Sequence, residues 1–356
     1  MNVIFRVDAS VHIGTGHVMR CLTLAKSLKD RGAEVNFICR KHDGNLIDKI
    51  IIEGFNVFEL ECLSEKKVET KQSYSYFLGV TQEQDAIDCK YILQLIKVDL
   101  LIVDHYALDE EWHQCLNGHY SQLMVIDDLA DRKFQCNILL NQNLGATLEE
   151  YKDRLPNKCQ LLIGCDYGLL RPEFLQLRAR ALYKRKYTNS IDSILISMGG
   201  SDFENITFDV IKNINNSLEI VVILGASSPH IDMIRNYAVD KNITVLTDVD
   251  NMADLMVDAD LAIGAGGSTS WERCCLGLPT LLYVTADNQK DVAVNLEKNG
   301  AVKIVKNLKK DIEYFMKDIK AWRNMSNNAC KVSDGLGVTR VVEKIFSICT
   351  RKKNVI

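Results

Sequence analysis

No run of about 18 apolar residues occurs in the chain, so no membrane-spanning helix is expected. A basic excess is missing too: 43 Lys and Arg stand against 47 Asp and Glu, a formal net charge of -4, which gives no reason to expect a nucleic-acid or membrane-surface partner. The 12 cysteines include no CxxC pair and no regular spacing, which argues against a disulfide framework. Cys274 and Cys275 are adjacent, but neighbouring helical residues point about 100° apart and make a poor pair of metal ligands, so they read as core. The first residues, MNVIFRVDAS, place Arg6 and Asp8 inside the first apolar run and lack the basic and long apolar regions of a secretory signal. Internal repeats, low-complexity tracts and a paired-carboxylate metal motif are absent. A reduced cytoplasmic protein, without metal or cofactor, is the expectation, and a monomer.

What is present is 47% hydrophobic and 25% charged residues over 356 positions, enough at about 150 residues per domain for two globular domains. Apolar runs of strand length alternate with segments of helical spacing, as in parallel α/β architecture, and the alternation occurs twice. The first set of predicted strands is 3–7, 35–38, 100–103, 123–126, 138–140 and 161–163. The second is 193–198, 219–224, 243–246, 261–263, 280–284 and 302–305. The predicted domains are residues 1–165 and 191–320, each Rossmann-like, with a linker over 166–190 and a helical segment over 321–356. The basic residues Arg178, Arg180, Lys184, Arg185 and Lys186 read as a solvated helical face, and the basic tail Arg351-Lys352-Lys353 as a solvated terminus. Residues 66–84 are polar, contain Tyr74 and Tyr76, and read as a loop or lid.

In open parallel sheets ligands sit beyond the carboxyl ends of strands. After the first strand comes His12-Ile-Gly-Thr-Gly-His17, in which Gly14 and Gly16 permit unusual backbone conformations and close approach of a ligand. A helix is predicted from about Val18, with Val18, Cys21, Leu22, Ala25 and Leu28 on one face. His17 would then sit at the positive end of the helix dipole, which favours the neutral, proton-accepting ring. A capping histidine is an equal alternative, and His12, ahead of the glycine turn, ranks lower. In the second half, Gly199 and Gly200 follow one strand, and Gly264-Ala-Gly266-Gly267-Ser268-Thr269 follows another and opens a helix. Both suit a diphosphate held by backbone N–H groups and hydroxyls, with no need for a basic patch. Glu272 could accept hydrogen bonds from ribose hydroxyls or close a capping box to Thr269. Asn288, after the strand 280–284, could bond a sugar hydroxyl or acetamido group, or form a turn.

The series Asp250-Asn-Met-Ala-Asp254, Ala259 to Glu272, Leu276-Gly-Leu-Pro279, Asp287-Asn-Gln and Asn299-Gly-Ala301 resembles the donor-binding domain of GT-B glycosyltransferases, among which the peptidoglycan N-acetylglucosaminyltransferase is a familiar case. In the first half, Phe5 to Ser10, Ile13 to Ala25, Val103 to Asp109, Val125 to Arg132, Leu139 to Asn143 and Tyr167 to Phe174 resemble the UDP-2,4-diacetamido-2,4,6-trideoxy-β-L-altropyranose hydrolases of pseudaminic acid biosynthesis. Asn141 stands where that family's strand-end motif carries Asp. The resemblance covers residues 3 to about 305. It implies a GT-B-like α/β fold of two Rossmann-like domains facing across a cleft, with the second binding UDP. It also implies metal-independent, inverting hydrolysis of a UDP-sugar, with His17 as the base and Glu272 on the ribose. Tyr106 would line the sugar pocket, and Asp8 and Arg171 are further cleft candidates. Two rivals stay open: a transferase that passes the sugar to an acceptor, and a non-catalytic UDP-sugar-binding protein.

Overall fold

The computed structural model describes residues 1–62, 74–200, 202–214, 217–226 and 228–351. Residues 66–73 of the expected lid, Ser201 of the first glycine loop and Lys352 and Lys353 of the basic tail lie outside the described residues. Two compact units are present: Met1–Leu169 with the chain from Val338 onward, and Leu170–Gly337.

The first unit is built on β1 (Asn2–Val7), β2 (Glu34–Arg40), β3 (Asn56–Leu60), β4 (Val98–Asp104), β5 (Tyr120–Ile126), β6 (Ile138–Asn141) and β7 (Gln160–Ile163). Their order is β3-β2-β1-β4-β5-β6-β7, with every pair parallel. Between them run α1 (Gly16–Asp30), α2 (Ile47–Ile52), α3 (Gln82–Leu93) and α4 (Glu110–Cys115). The second unit pairs β8 (Ser193–Ser197), β9 (Glu219–Leu224), β10 (Ile243–Thr247), β11 (Leu261–Ala265), β12 (Thr280–Tyr283) and β13 (Lys303–Ile304) in the order β10-β9-β8-β11-β12-β13, again all parallel. Its helices are α5 (Pro172–Tyr187), α6 (Ile206–Lys212), α7 (Ile231–Ala238), α8 (Met252–Asp258), α9 (Thr269–Cys275), α10 (Lys290–Lys298), α11 (Leu308–Lys317) and α12 (Ile319–Val332); α13 (Gly337–Arg351) follows. Strand order reverses between β1 and β4 and between β8 and β11. Those two positions are where open α/β sheets gather ligands.

Every predicted strand is present, and β3 is the addition. It is an edge strand in which only Leu60 is buried, so it lacks the continuous apolar run of a central parallel strand. The predicted face of α1 is buried at Val18, Cys21, Leu22, Ala25 and Leu28. The helix begins at Gly16, however, which puts His17 inside its first turn.

Alternation along β1 sends Val3, Phe5 and Val7 into one core and Ile4 into the other. Val338, Val341, Val342 and Ile345, spaced as one helical face on α13, join the first core. Burial of each such aliphatic chain is worth about 1.5–3 kcal/mol, which returns α13 to the first unit. The stretch from residue 321 is therefore not one segment: α12 stays in the second unit, where Trp322 Nε1 donates to Asp260 O at 2.8 Å.

The expected linker carries α5, a helix of the second unit; Arg180 and Lys186 are exposed as a solvated face requires, but Arg178 and Arg185 correct that reading. Arg185 is buried and donates to the carbonyls of Leu276, Ala259 and Met256 at 3.0, 3.0 and 2.7 Å. Arg178 donates to those of Ser333 and Cys330 at 2.9 and 2.7 Å, and also to Cys275 O. Both cations cap carbonyl-rich helix ends, where the dipole is negative.

Candidate active site

At the reversal point of the first unit, β4 ends in Asp104, a fully buried carboxylate, beside the first turn of α1. His17 Nδ1 lies 2.6 Å from Asp104 Oδ1. One helical turn on, Arg20 donates to both Asp104 oxygens at 2.6 Å from Nε and Nη2, a bidentate fork. Its other terminal nitrogen reaches Asp128 Oδ2 at 3.1 Å. Tyr106 donates its hydroxyl to Asp128 Oδ1 at 2.7 Å and sets its ring edge-on to His17, centroids 4.6 Å apart. Tyr74, within the expected lid, packs on Tyr106 at 5.2 Å.

Burial alone would raise the Asp104 carboxyl, but the charge of Arg20 and the hydrogen bonds from Arg20 and His17 outweigh it and hold the group below the ordinary carboxylate range. An ionised Asp104 only accepts, so the short contact sets the tautomer: Nδ1–H of His17 donates to the carboxylate. The weaker Arg20 Nη2 approach to Nδ1, 3.2 Å, would need the opposite tautomer and point a lone pair at a carboxylate oxygen. In the neutral ring Nε2 is then the atom with the lone pair, and it has no hydrogen bond to any described residue. Burial and Asp128 push the Tyr106 phenol well up, so it stays a neutral donor.

Asp8, the residue after β1, is buried. One oxygen accepts from Arg6 at 2.6 Å and from the Arg40 amide at 2.7 Å. The other lies 3.4 Å from His105 Nε2 and 3.6 Å from His42 Nε2. Arg6 and Arg40 also bind Asp85 on α3, at 2.6 and 2.8 Å. Asn141 has a local task as well: its amide donates to Tyr151 Oη at 3.1 Å and its oxygen accepts from the Asn143 amide at 3.0 Å. Gly14 has φ +80°, in the turn closed by Gly14 N–H to Ser10 O at 2.8 Å; Gly16 is the first residue of α1, and His12 is exposed.

In the second unit, adjacent strands β8 and β11 deliver Gly199-Gly200 and the 264–269 loop. Gly199 has φ +96°, and Gly200 packs so closely on the chain after β9 that a Cβ on Gly225 would meet Gly200 O at 2.0 Å. Gly266 corrects the expected cradle, because its N–H already donates to Tyr283 O at 3.1 Å. The N–H groups of Gly267, Ser268 and Thr269 take no acceptor among the described residues. Neither Ser268 nor Glu272 caps α9 through a side chain. Glu272 instead faces Arg171, at 3.5 Å, and burial pushes its carboxyl up, with Arg171 only partly offsetting that. Arg171 also pairs with Glu173 at 3.1 Å and lies over the Phe174 ring. Asn288 lies in a 3-10 turn, Asp287–Gln289, and its side chain is outside the described residues.

Residues 193–345 match the glycosyltransferase family 28 C-terminal domain. MurG of Acinetobacter baumannii superimposes with a TM-score of 0.67 at 15% identity, covering 97% of this chain and 99% of that one. A co-structure of Staphylococcus aureus MnaA with UDP gives 0.65 at 11%, over 98% and 97%. The fold is GT-B. On this GT-B scaffold the resemblance read from the motifs holds: the chain is 28% identical over 301 residues to the UDP-2,4-diacetamido-2,4,6-trideoxy-beta-L-altropyranose hydrolase of Campylobacter jejuni, 84% of this chain and 97% of the relative. No helix among the described residues is long and apolar enough to cross a membrane.

Within the first GT-B half, the structure brings His17 and Tyr106 together, and Glu272, Arg171 and the 264–269 loop are neighbours in the second. Asp104, Arg20 and Asp128 were not picked out from sequence. Two signals could have found them: Asp104 ends a strand, and Arg20 is three residues after His17, on the same helical face.

Proposed function

We propose that the chain hydrolyses UDP-2,4-diacetamido-2,4,6-trideoxy-β-L-altropyranose, or a closely related UDP-diacetamido sugar, to UDP and the free sugar. The observation that carries this reading is the His17–Asp104 pair, which leaves one ring nitrogen as a proton acceptor at the mouth of a parallel sheet. Nε2 takes a proton from water as its oxygen attacks the anomeric carbon. The bond from that carbon to the phosphate oxygen breaks, and its electron pair leaves with UDP. Attack opposite the leaving group inverts the centre. The imidazolium formed is stabilised by Asp104, while Arg20 keeps that carboxylate ionised and oriented.

The second unit takes the nucleotide in this reading. The N–H groups of Gly267, Ser268 and Thr269 meet the diphosphate and the charge that builds on it as the bond breaks, without a metal. Glu272, aligned by Arg171, accepts from ribose hydroxyls, and Gly199, Gly200 and Asn288 complete the donor site. Tyr106 lines the sugar site. The match to a glycosyltransferase domain favours a second reading, transfer to an acceptor. Proton NMR of purified protein with the UDP-sugar and no acceptor separates the two: equal amounts of UDP and reducing sugar are expected, and turnover that requires an acceptor would overturn hydrolysis.

A further inference from the structure

Among the described residues five arginines are buried, and four of them face a negative charge or the negative end of a helix. Arg6, Arg20 and Arg40 bind carboxylates, at 2.6, 2.6 and 2.8 Å. Arg185 has three helix-end carbonyls. Arg273 has neither: it is 2% exposed, no carboxylate lies within ion-pair distance of it among the described residues, and none of its acceptors ends a helix. Glu272, its neighbour in sequence, pairs with Arg171 instead.

The acceptors of Arg273 are all neutral and all belong to one loop. Nη2 donates to Ala265 O at 2.7 Å and to Ser270 Oγ at 3.0 Å, and Nη1 to Thr269 Oγ1 at 3.3 Å. Nε has no partner. Helical side chains lean toward the N-terminus, so the guanidinium, carried late in α9, lies against the first turn of that helix. There the macrodipole is positive as well, and adds to the cost instead of relieving it. Burial lowers the group to about 10, which leaves it charged at neutral pH. Space is reserved for it: a Cβ on Gly264 would lie 2.5 Å from Nη1 and 2.7 Å from Ser197 O. By donating to Thr269 Oγ1, the guanidinium also fills a lone pair of that hydroxyl and leaves its hydrogen for another acceptor.

We propose that Arg273 is the built-in counter-charge of the nucleotide site, a cation held under the 264–269 loop whose compensating anion is the ligand's diphosphate. This rests on the reading that the loop binds UDP. Arg273 sets affinity from behind the loop, through its charge and through the Thr269 hydroxyl, and explains how a chain without a basic patch attracts a dianion.

The test is calorimetric titration of the full chain with UDP and with uridine, for the wild type, Arg273→Met, Arg273→Gln and Arg273→Lys. Loss of the charge is expected to weaken UDP about tenfold to a hundredfold, the scale of a unit charge about 6–12 Å away in a medium of effective dielectric about 20. Uridine binding should not change, and Lys should restore most of the UDP affinity. Unchanged UDP binding in the Met and Gln variants, or equal losses for UDP and uridine, would overturn the proposal. If Met does not fold, Gln against Lys makes the same comparison. Wild-type protein that binds no UDP would overturn the nucleotide reading along with it, whereas UDP binding without sugar release would sink hydrolysis alone.

Discussion

At the reversal point of the first unit the outward groups are side chains: a histidine, an arginine, two aspartates and a tyrosine joined by contacts of 2.6 to 3.2 Å. At that of the second they are backbone N–H groups and hydroxyls, with Arg273 hidden beneath. Both arise from the same β-loop-α geometry. The difference follows from the task each is assigned. A proton must move to an atom of definite basicity, which needs a titratable ring and a charge that fixes its tautomer. An anionic nucleotide needs donors that do not titrate, and main-chain amides serve at any pH. Point substitutions should therefore act sharply on catalysis in the first unit and weakly on binding in the second, apart from Arg273.

His17→Asn should have the largest effect, lowering kcat for UDP release by about two to four orders of magnitude with little change in UDP affinity. A matching fall in affinity would erase the division between the units. Asp104→Asn should lower kcat about tenfold to a hundredfold through loss of orientation. It should also cost about 3 kcal/mol of stability in denaturant unfolding, because Arg20 loses its fork partner; full activity would make the pair ornamental.

The first unit should also be the more sensitive to acid. His113 is buried, its Nδ1 accepts from the Gln135 amide at 3.2 Å, and burial, with help from Arg132, lowers it to about 3. Below the unfolded value of about 6.5 the unfolded chain takes up a proton that the folded chain refuses. Stability is thus intact above that pH and falls about 1.4 kcal/mol per pH unit on the way down to about 3. His113→Asn, which keeps an acceptor for Gln135, should flatten that slope; an unchanged slope would remove His113 as its source. Ser268→Ala should matter least, about fivefold or less in UDP affinity, since it deletes one exposed hydroxyl and spares the amide. A hundredfold loss would show that side chains carry the second site after all.

Much of the scaffold was legible because central parallel strands are buried on both faces and read as apolar runs. The half-buried edge strand β3 left no such trace. The glycine loops and His17 could be read for the same local reason: what they do depends on residues next to them. The partner of His17 could not, since Asp104 is 87 residues away and only sheet order puts β4 beside β1. The burial of Arg185 and the half-burial of Arg178 were hidden likewise, because a basic helix looks solvated until its carbonyl partners, 71 to 155 residues distant, fold against it. Gly266 shows the reverse error, a loop amide expected to face a ligand that the neighbouring strand end had already taken.

The most direct test of the central claim, water attack at the anomeric carbon, is acceptor-free turnover of the UDP-sugar in 18O-enriched water, with mass spectrometry of the UDP released. Anomeric oxygens of free sugars exchange with solvent, so the nucleotide is the product to weigh. The account predicts steady UDP release with no 18O in the UDP. UDP that carries one 18O would place the attack at phosphorus and contradict it.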